Sequence, residues 1–251
     1  MKTSVLGTFG ASVLLAAAVS ACGGPGPQAA ESSPAPSAGS GTTAAAPTAT
    51  PTPSPTAKAY TAEELAAIVS QVRDAADRRL SVLPSADINT TLEQTKAVLA
   101  SIDVKPEECK ALAAASAVPS VDGAAMAVGM SNDASTGAVT ALSLVAGLDQ
   151  SFLNKVADPS EQLAKCSSMT MTASGMDISV TITPVDAGTQ PGAVAYRTDS
   201  ALPDGRTQST ITAQLVHQGV VLTSVASGGA SEADAVQRAG ALLDSAAALV
   251  K

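Results

Sequence analysis

The chain must build its interior almost without aromatic side chains: it has no Trp, two Phe and two Tyr in 251 residues. Ala, Val, Leu, Ile and Met have to supply the core, which favours Ala-rich helices packed on Val- and Thr-rich strands. One stretch cannot contribute to such a core. Gly23 to Tyr60 is dominated by Pro, Ala, Ser, Thr and Gly, with one acid, Glu31, and one base, Lys58. Its apolar surface is too small to offset the entropy of ordering, so it is expected to be a disordered tether. Roughly 190 residues remain after it, enough for one domain with a genuine core.

What precedes the tether has three parts: a basic start at Lys2, an apolar run from Val5 through Val13-Leu14-Leu15 to Val19, and small residues leading to Cys22. That is the layout of a secretory leader, and the apolar run is too short for a spanning helix. Val19-Ser20-Ala21-Cys22 resembles the lipobox of bacterial lipoproteins, in which the Cys is diacylated and becomes the new amino terminus. Two or more acyl chains anchor a protein stably, at about 0.8 kcal/mol per buried methylene. The alternative is an ordinary secretory signal with an incidental Cys. The expected division is 1–21 signal peptide, 22–60 lipid-anchored tether and 61–251 folded domain. Extended as polyproline, the tether reaches roughly 100 Å, and as a coil about 35 Å. Its Thr-Pro alternation from Pro47 to Pro55 is either a site for O-linked sugar or a bare spacer.

The folded part opens on a capping signal, Thr61-Ala62-Glu63-Glu64. Leu65, Ile68, Val69, Val72, Ala76 and Leu80 then recur as one helical stripe expected to stop before Pro84. A second helix is expected from Thr90 or Thr91 to Ile102, with Leu92, Val98, Leu99 and Ile102 inward. A short third one starts at Pro106 and carries Cys109 and Leu112. Ala124–Met130 and Ala138–Ala146 read as two strands about a turn at 131–137. Leu148 to Cys166 reads as helix interrupted at Asp158-Pro159. Met169 and Met171, a Ser174-Gly175 turn, and Ile178, Val180 and Ile182 describe a hairpin with one apolar face. Strands at 193–198, 208–216 and 220–226 follow. The chain closes on the cap Ser231-Glu232-Ala233-Asp234 and a helix with Ala235, Val236, Ala239, Leu242, Leu243 and Ala246 inward. Helices first, a largely antiparallel sheet, then a covering C-terminal helix: this is an α+β layered domain.

With Cys22 assigned to lipid, Cys109 and Cys166 are left as a pair on the oxidising side of the membrane. A bridge between them would contribute about 4 kcal/mol on the loop-entropy model; two buried free thiols are the alternative. A formal net charge of −8 argues against nucleic acid and against adhesion to anionic lipid through a basic patch. Catalytic chemistry finds little to work with. His217 is the single His and sits beside an expected hairpin turn. No nucleophile elbow, phosphate loop or zinc helix is present. Glu63-Glu64 and Glu107-Glu108 fall in first helical turns, where negative charge is stabilised in any case. The loop at Asn132-Asp133 lacks the spacing of a calcium site. No catalytic residue, metal ligand or cofactor is expected.

Lys165-Cys166, the hairpin strands Met169–Thr172 and Met176–Pro184, the run from Gln214 through His217 to Val225, and the terminal helix together carry a resemblance. This order resembles the extracellular sensor domain of PknH-like mycobacterial serine/threonine kinases and related actinobacterial lipoproteins. The resemblance implies a binding or sensing domain with a cleft, and a bridge from Cys109 to Cys166. The second Cys pair common in the last two strands of that family is absent here.

Three functional classes follow: a lipid-anchored binding or sensor-like domain on the outer face of the cytoplasmic membrane, a carrier of apolar envelope molecules such as lipids, and a structural or adhesion module. The first is the expectation, as a monomer without catalytic activity, for a small-molecule or envelope protein ligand. The methionines Met126, Met130, Met169, Met171 and Met176 either line a pliable apolar cavity or are plain core.

Overall fold

The computed structural model of the chain describes residues 58–110, 112, 123–173, 175–188 and 190–251. The leader, Cys22 and the tether up to residue 57 lie outside the described residues, as does Ser174 of the expected hairpin turn.

One antiparallel sheet of nine strands organises the domain. In chain order the strands are β1 (Ser81–Val82), β2 (Asp103–Lys105), β3 (Ala125–Asp133), β4 (Ala138–Ala146), β5 (Ser168–Ala173), β6 (Met176–Pro184), β7 (Val194–Ala201), β8 (Thr207–His217) and β9 (Val220–Ser227). In space they run β1-β3-β4-β9-β8-β7-β6-β5-β2. Both edges are strands of two or three residues, too short to recruit another chain readily. The helices are α1 (Ala62–Gln71), α2 (Ser85–Ala100), α3 (Gln150–Ala157), α4 (Ser160–Lys165) and α5 (Glu232–Ala247).

The first face of the sheet is an apolar core. α5 lays Ala239, Leu242, Leu243 and Ala246 on Ile211, Ala213, Leu222 and Ala226, and α1 adds Leu65, Val69 and Val72 beside Ala127, Leu142 and Leu144. α1 approaches β3 so closely that a Cβ at Gly129 would collide with Val69 and Leu80. Small residues therefore let helix and strand backbones come together where aromatics are lacking. Tyr60 closes this side: its hydroxyl donates to the Lys251 carbonyl (2.5 Å) and accepts from the Lys251 amide (2.8 Å), joining the two ends of the domain.

The second face carries the disulfide. Cys109 and Cys166 are bonded, and around them pack Ile102, Val104, Leu112, Leu163, Met169, Met171, Val180, Ile182 and Tyr196. A smaller cluster, Val145, Leu153, Val156 and Val221, holds α3 against the other half of the same face. Asp149 caps α3 by accepting from the Phe152 amide at 2.8 Å, and the helix breaks at Asp158-Pro159 as expected.

Three expectations are corrected. α1 ends at Gln71 and does not continue towards Pro84; Ala76 and Leu80 lie beyond it. The Asp74 carboxylate accepts from the Ala76 and Arg78 amides, both at 2.9 Å, a local alternative that outcompetes helical bonding. α2 begins at Ser85, five residues before Thr90, because the Pro84 carbonyl starts its ladder. Within α2 Ile88 is buried, Leu92 and Leu99 lie half-buried on the same face, and Val98 points elsewhere and is 54% exposed; Ile102 is buried just past the helix end. Finally, the segment after Pro106 is a 3-10 turn over Glu107–Cys109, with helical residues at Lys110 and Leu112, and 113–122 lie outside the described residues.

Candidate functional site

β8 alternates as a strand with one wet face should: Ile211, Ala213 and Leu215 point into the α5 core, while Thr210, Thr212 and Gln214 point the other way. The second set does not meet water. Thr212 is 0% and Gln214 2% exposed, and Thr223, opposite Gln214 on β9, is 8% exposed. α3 packs against β8, where Val216 meets its cluster. A polar stripe thus divides the apolar lining of the second face, with Tyr196 and its cluster on one side and Val221, Leu153 and Val156 on the other.

The stripe is incompletely satisfied. Gln214 Nε2 donates to Thr223 Oγ1 at 3.2 Å, while Gln214 Oε1 and Thr212 Oγ1 are buried without a hydrogen-bond partner. Turning the carboxamide over exchanges its ends and still leaves one unpaired. Beside them on β7, Thr198 Oγ1 is likewise unpaired. Tyr196 faces Thr212 across the strand pair. Burial pushes the Tyr196 phenol well above its ordinary range, and the neighbouring Thr212 offsets this only slightly.

A concavity lies on the first face, where the β6–β7 connection meets the start of α5. Val185, Ala187 and Gly188 face Glu232, Val236 and Gln237 across an open groove of about 750 Å³. The Gln190 amide donates to Asp244 at 3.3 Å and ties the connection to α5. The groove is open to solvent, unlike the enclosed apolar chamber a carrier would need.

The remaining candidates resolve into structural parts. His217 ends β8, half-buried and paired with Val220 beside the Gln218-Gly219 turn, where both residues have positive φ (51° and 76°) as a two-residue hairpin requires. Glu64 completes a capping box with Thr61, and its bond from the Thr61 amide, then its partner Lys58, hold its carboxyl below the usual range. Glu107 and Glu108 lie in the 3-10 turn. Asp133 accepts from the Ser135 hydroxyl and amide and pairs with Arg78 at 3.4 Å, so it braces a turn. Burial raises the Asp74 carboxyl, but bonds from Ser131, Arg78 and Ala76 outweigh it and hold the group below its ordinary value. Among the described residues no cluster of His, Cys, Asp and Glu could hold a metal ion. Met169 and Met171 are core, Met126 and Met130 are half-buried, and Met176 is 54% exposed, so the methionines line no common cavity. Reading strands in isolation missed the stripe; the signal available was the polar set of β8, which by itself looks like a solvated face.

No family model and no curated protein matches the chain. Solved structures do. The extracellular domain of PknH from Mycobacterium tuberculosis is 14% identical with a TM-score of 0.43, covering 76% of this chain and 98% of that one. A putative uncharacterized protein from Mycobacterium smegmatis, an Rv0999 ortholog, is 16% identical with a TM-score of 0.38, over 59% of this chain and 76% of that one. The function of this chain is argued from its own residues.

Proposed function

We propose that this chain is a binding lipoprotein of the cell envelope, anchored through Cys22 to the outer face of the cytoplasmic membrane, which holds a small ligand on the disulfide-bearing face of its sheet and performs no catalysis. The observation that carries binding is the polar side of β8, enclosed yet short of hydrogen-bond partners at Gln214 and Thr212. Protein interiors rarely leave such groups unpaired, so a partner supplied from outside the chain accounts for them. The Cys109–Cys166 bridge supports an oxidising location, in agreement with the leader.

Native mass spectrometry of the full chain, extracted from its envelope in mild detergent, tests both halves. The expected spectrum has a mass raised by acyl chains, lost in Cys22→Ser, and a further adduct that disappears on denaturation. An unacylated mass overturns the anchor, and the absence of any denaturation-sensitive adduct overturns the binding reading.

A further inference from the structure

We infer that Gln214 and Thr212 are the contact point for a small, neutral, amphipathic ligand bearing a hydroxyl or another hydrogen-bond donor; this deepens the binding reading above and rests on it. The two side chains leave the same face of β8 two residues apart, a separation of about 7 Å that one small polar group with its substituents can bridge. Gln214 Oε1 offers an acceptor and Thr212 Oγ1 both an acceptor and a donor, so a ligand hydroxyl satisfies either.

The ligand's charge follows from what the site lacks. The fully buried charged residues among those described are Asp74 and Arg238. Asp74 is engaged by Arg78 and Ser131 in the turn after α1. Arg238 lies on α5, on the opposite face, and is held by Asp234, Thr140 and backbone carbonyls. No buried cation is therefore placed to receive a carboxylate or phosphate beside Gln214, and desolvating such a group there would be unfavourable. The apolar part of the ligand follows from the flanks: the stripe lies between the Tyr196–Met169–Val180 cluster and the Val221–Leu153–Val156 cluster. Val at 212 would fill the same space without an unpaired hydroxyl, whereas Leu at 214 would strip Thr223 of its bond from Gln214 Nε2.

The test uses the full chain labelled at its methionine methyls, since Met169 and Met171 sit in the flanking cluster. It is titrated with 1,2-hexanediol, a neutral hydroxyl head on a short apolar tail, and with hexanoate, which differs by its charged, acceptor-only head. The expected result is a saturable shift of the Met169 methyl with the diol and none with hexanoate, with the diol's apparent affinity lowered at least tenfold in Gln214→Leu and, separately, in Thr212→Val. Either variant suffices should the other fail to fold. Unchanged diol binding in both variants, equal response to hexanoate, or no saturable shift overturns the inference. An envelope-derived adduct that persists in Gln214→Leu overturns this site while leaving the binding reading intact; loss of both diol response and adduct in the unaltered chain overturns both.

Discussion

The two faces of the sheet are built on opposite terms. On the face under α1 and α5, apolar side chains of α5 meet apolar positions of β8 and β9, and the buried polar groups are satisfied: Ser224 donates to the Ala239 carbonyl at 2.7 Å and Arg238 to Thr140 at 3.0 Å. On the other face a covalent bridge and two small clusters enclose a stripe that is left short of partners. Hydrophobic burial stabilises the first face by itself. The second has less apolar surface to bury, and the disulfide supplies what packing does not. Under the proposed binding reading, stability and recognition are separated by side: a face that must accept a ligand cannot also be the best-packed one.

Breaking the bridge sharpens this contrast most. Cys109→Ser with Cys166→Ser is expected to cost about 4 kcal/mol on the loop-entropy model for a separation of 57 residues. Chemical denaturation under oxidising and reducing conditions checks it, and an equal midpoint in both would show that the second face holds without its staple. Next comes the packed face, where Leu243→Ala, at a fully buried position of α5, is expected to cost about 3 kcal/mol. A loss below about 1 kcal/mol in the same denaturation series would mean that α5 is not the principal cover.

The third effect has the opposite sign. Thr212→Val removes a buried unpaired hydroxyl and is expected to stabilise the ligand-free domain by about 1 kcal/mol, seen as a rise of roughly 2–4 °C in melting temperature. A fall would place Thr212 among the structural groups and erase the contrast between the faces. The smallest effect is acid sensitivity at Asp74. Its folded pKa lies below the ordinary 3.8, so its stabilising contribution is complete above that value and is lost as pH falls through the lower, folded one. Asp74→Asn should flatten the stability profile below about pH 4; an unchanged acid limb would assign acid unfolding elsewhere.

Much of the fold is legible along the chain because its signals are local. The caps at Thr61 and Ser231, the break at Asp158-Pro159 and the period-two alternation of β5 and β6 need no distant partner to be read. The errors fall where a non-local or side-chain interaction decides. α1 stops early because Asp74 captures backbone amides and is itself held by Ser131, 57 residues away. Val98 looks like core in a helical window yet faces outward, because α2 is pinned by Ile88 and has little of the sheet beneath it.

Composition and local pattern by themselves determined the α+β class, the segmentation into elements and the single available cysteine pair, since propensity, capping and alternation act over a few residues. Only the tertiary structure decided which face of β8 meets solvent. Alternation states that the two sides of a strand differ, not whether the polar side is wet. That depends on what packs against the strand, α3 on β8 and Tyr196 opposite Thr212, an arrangement made by contacts between residues far apart in the chain.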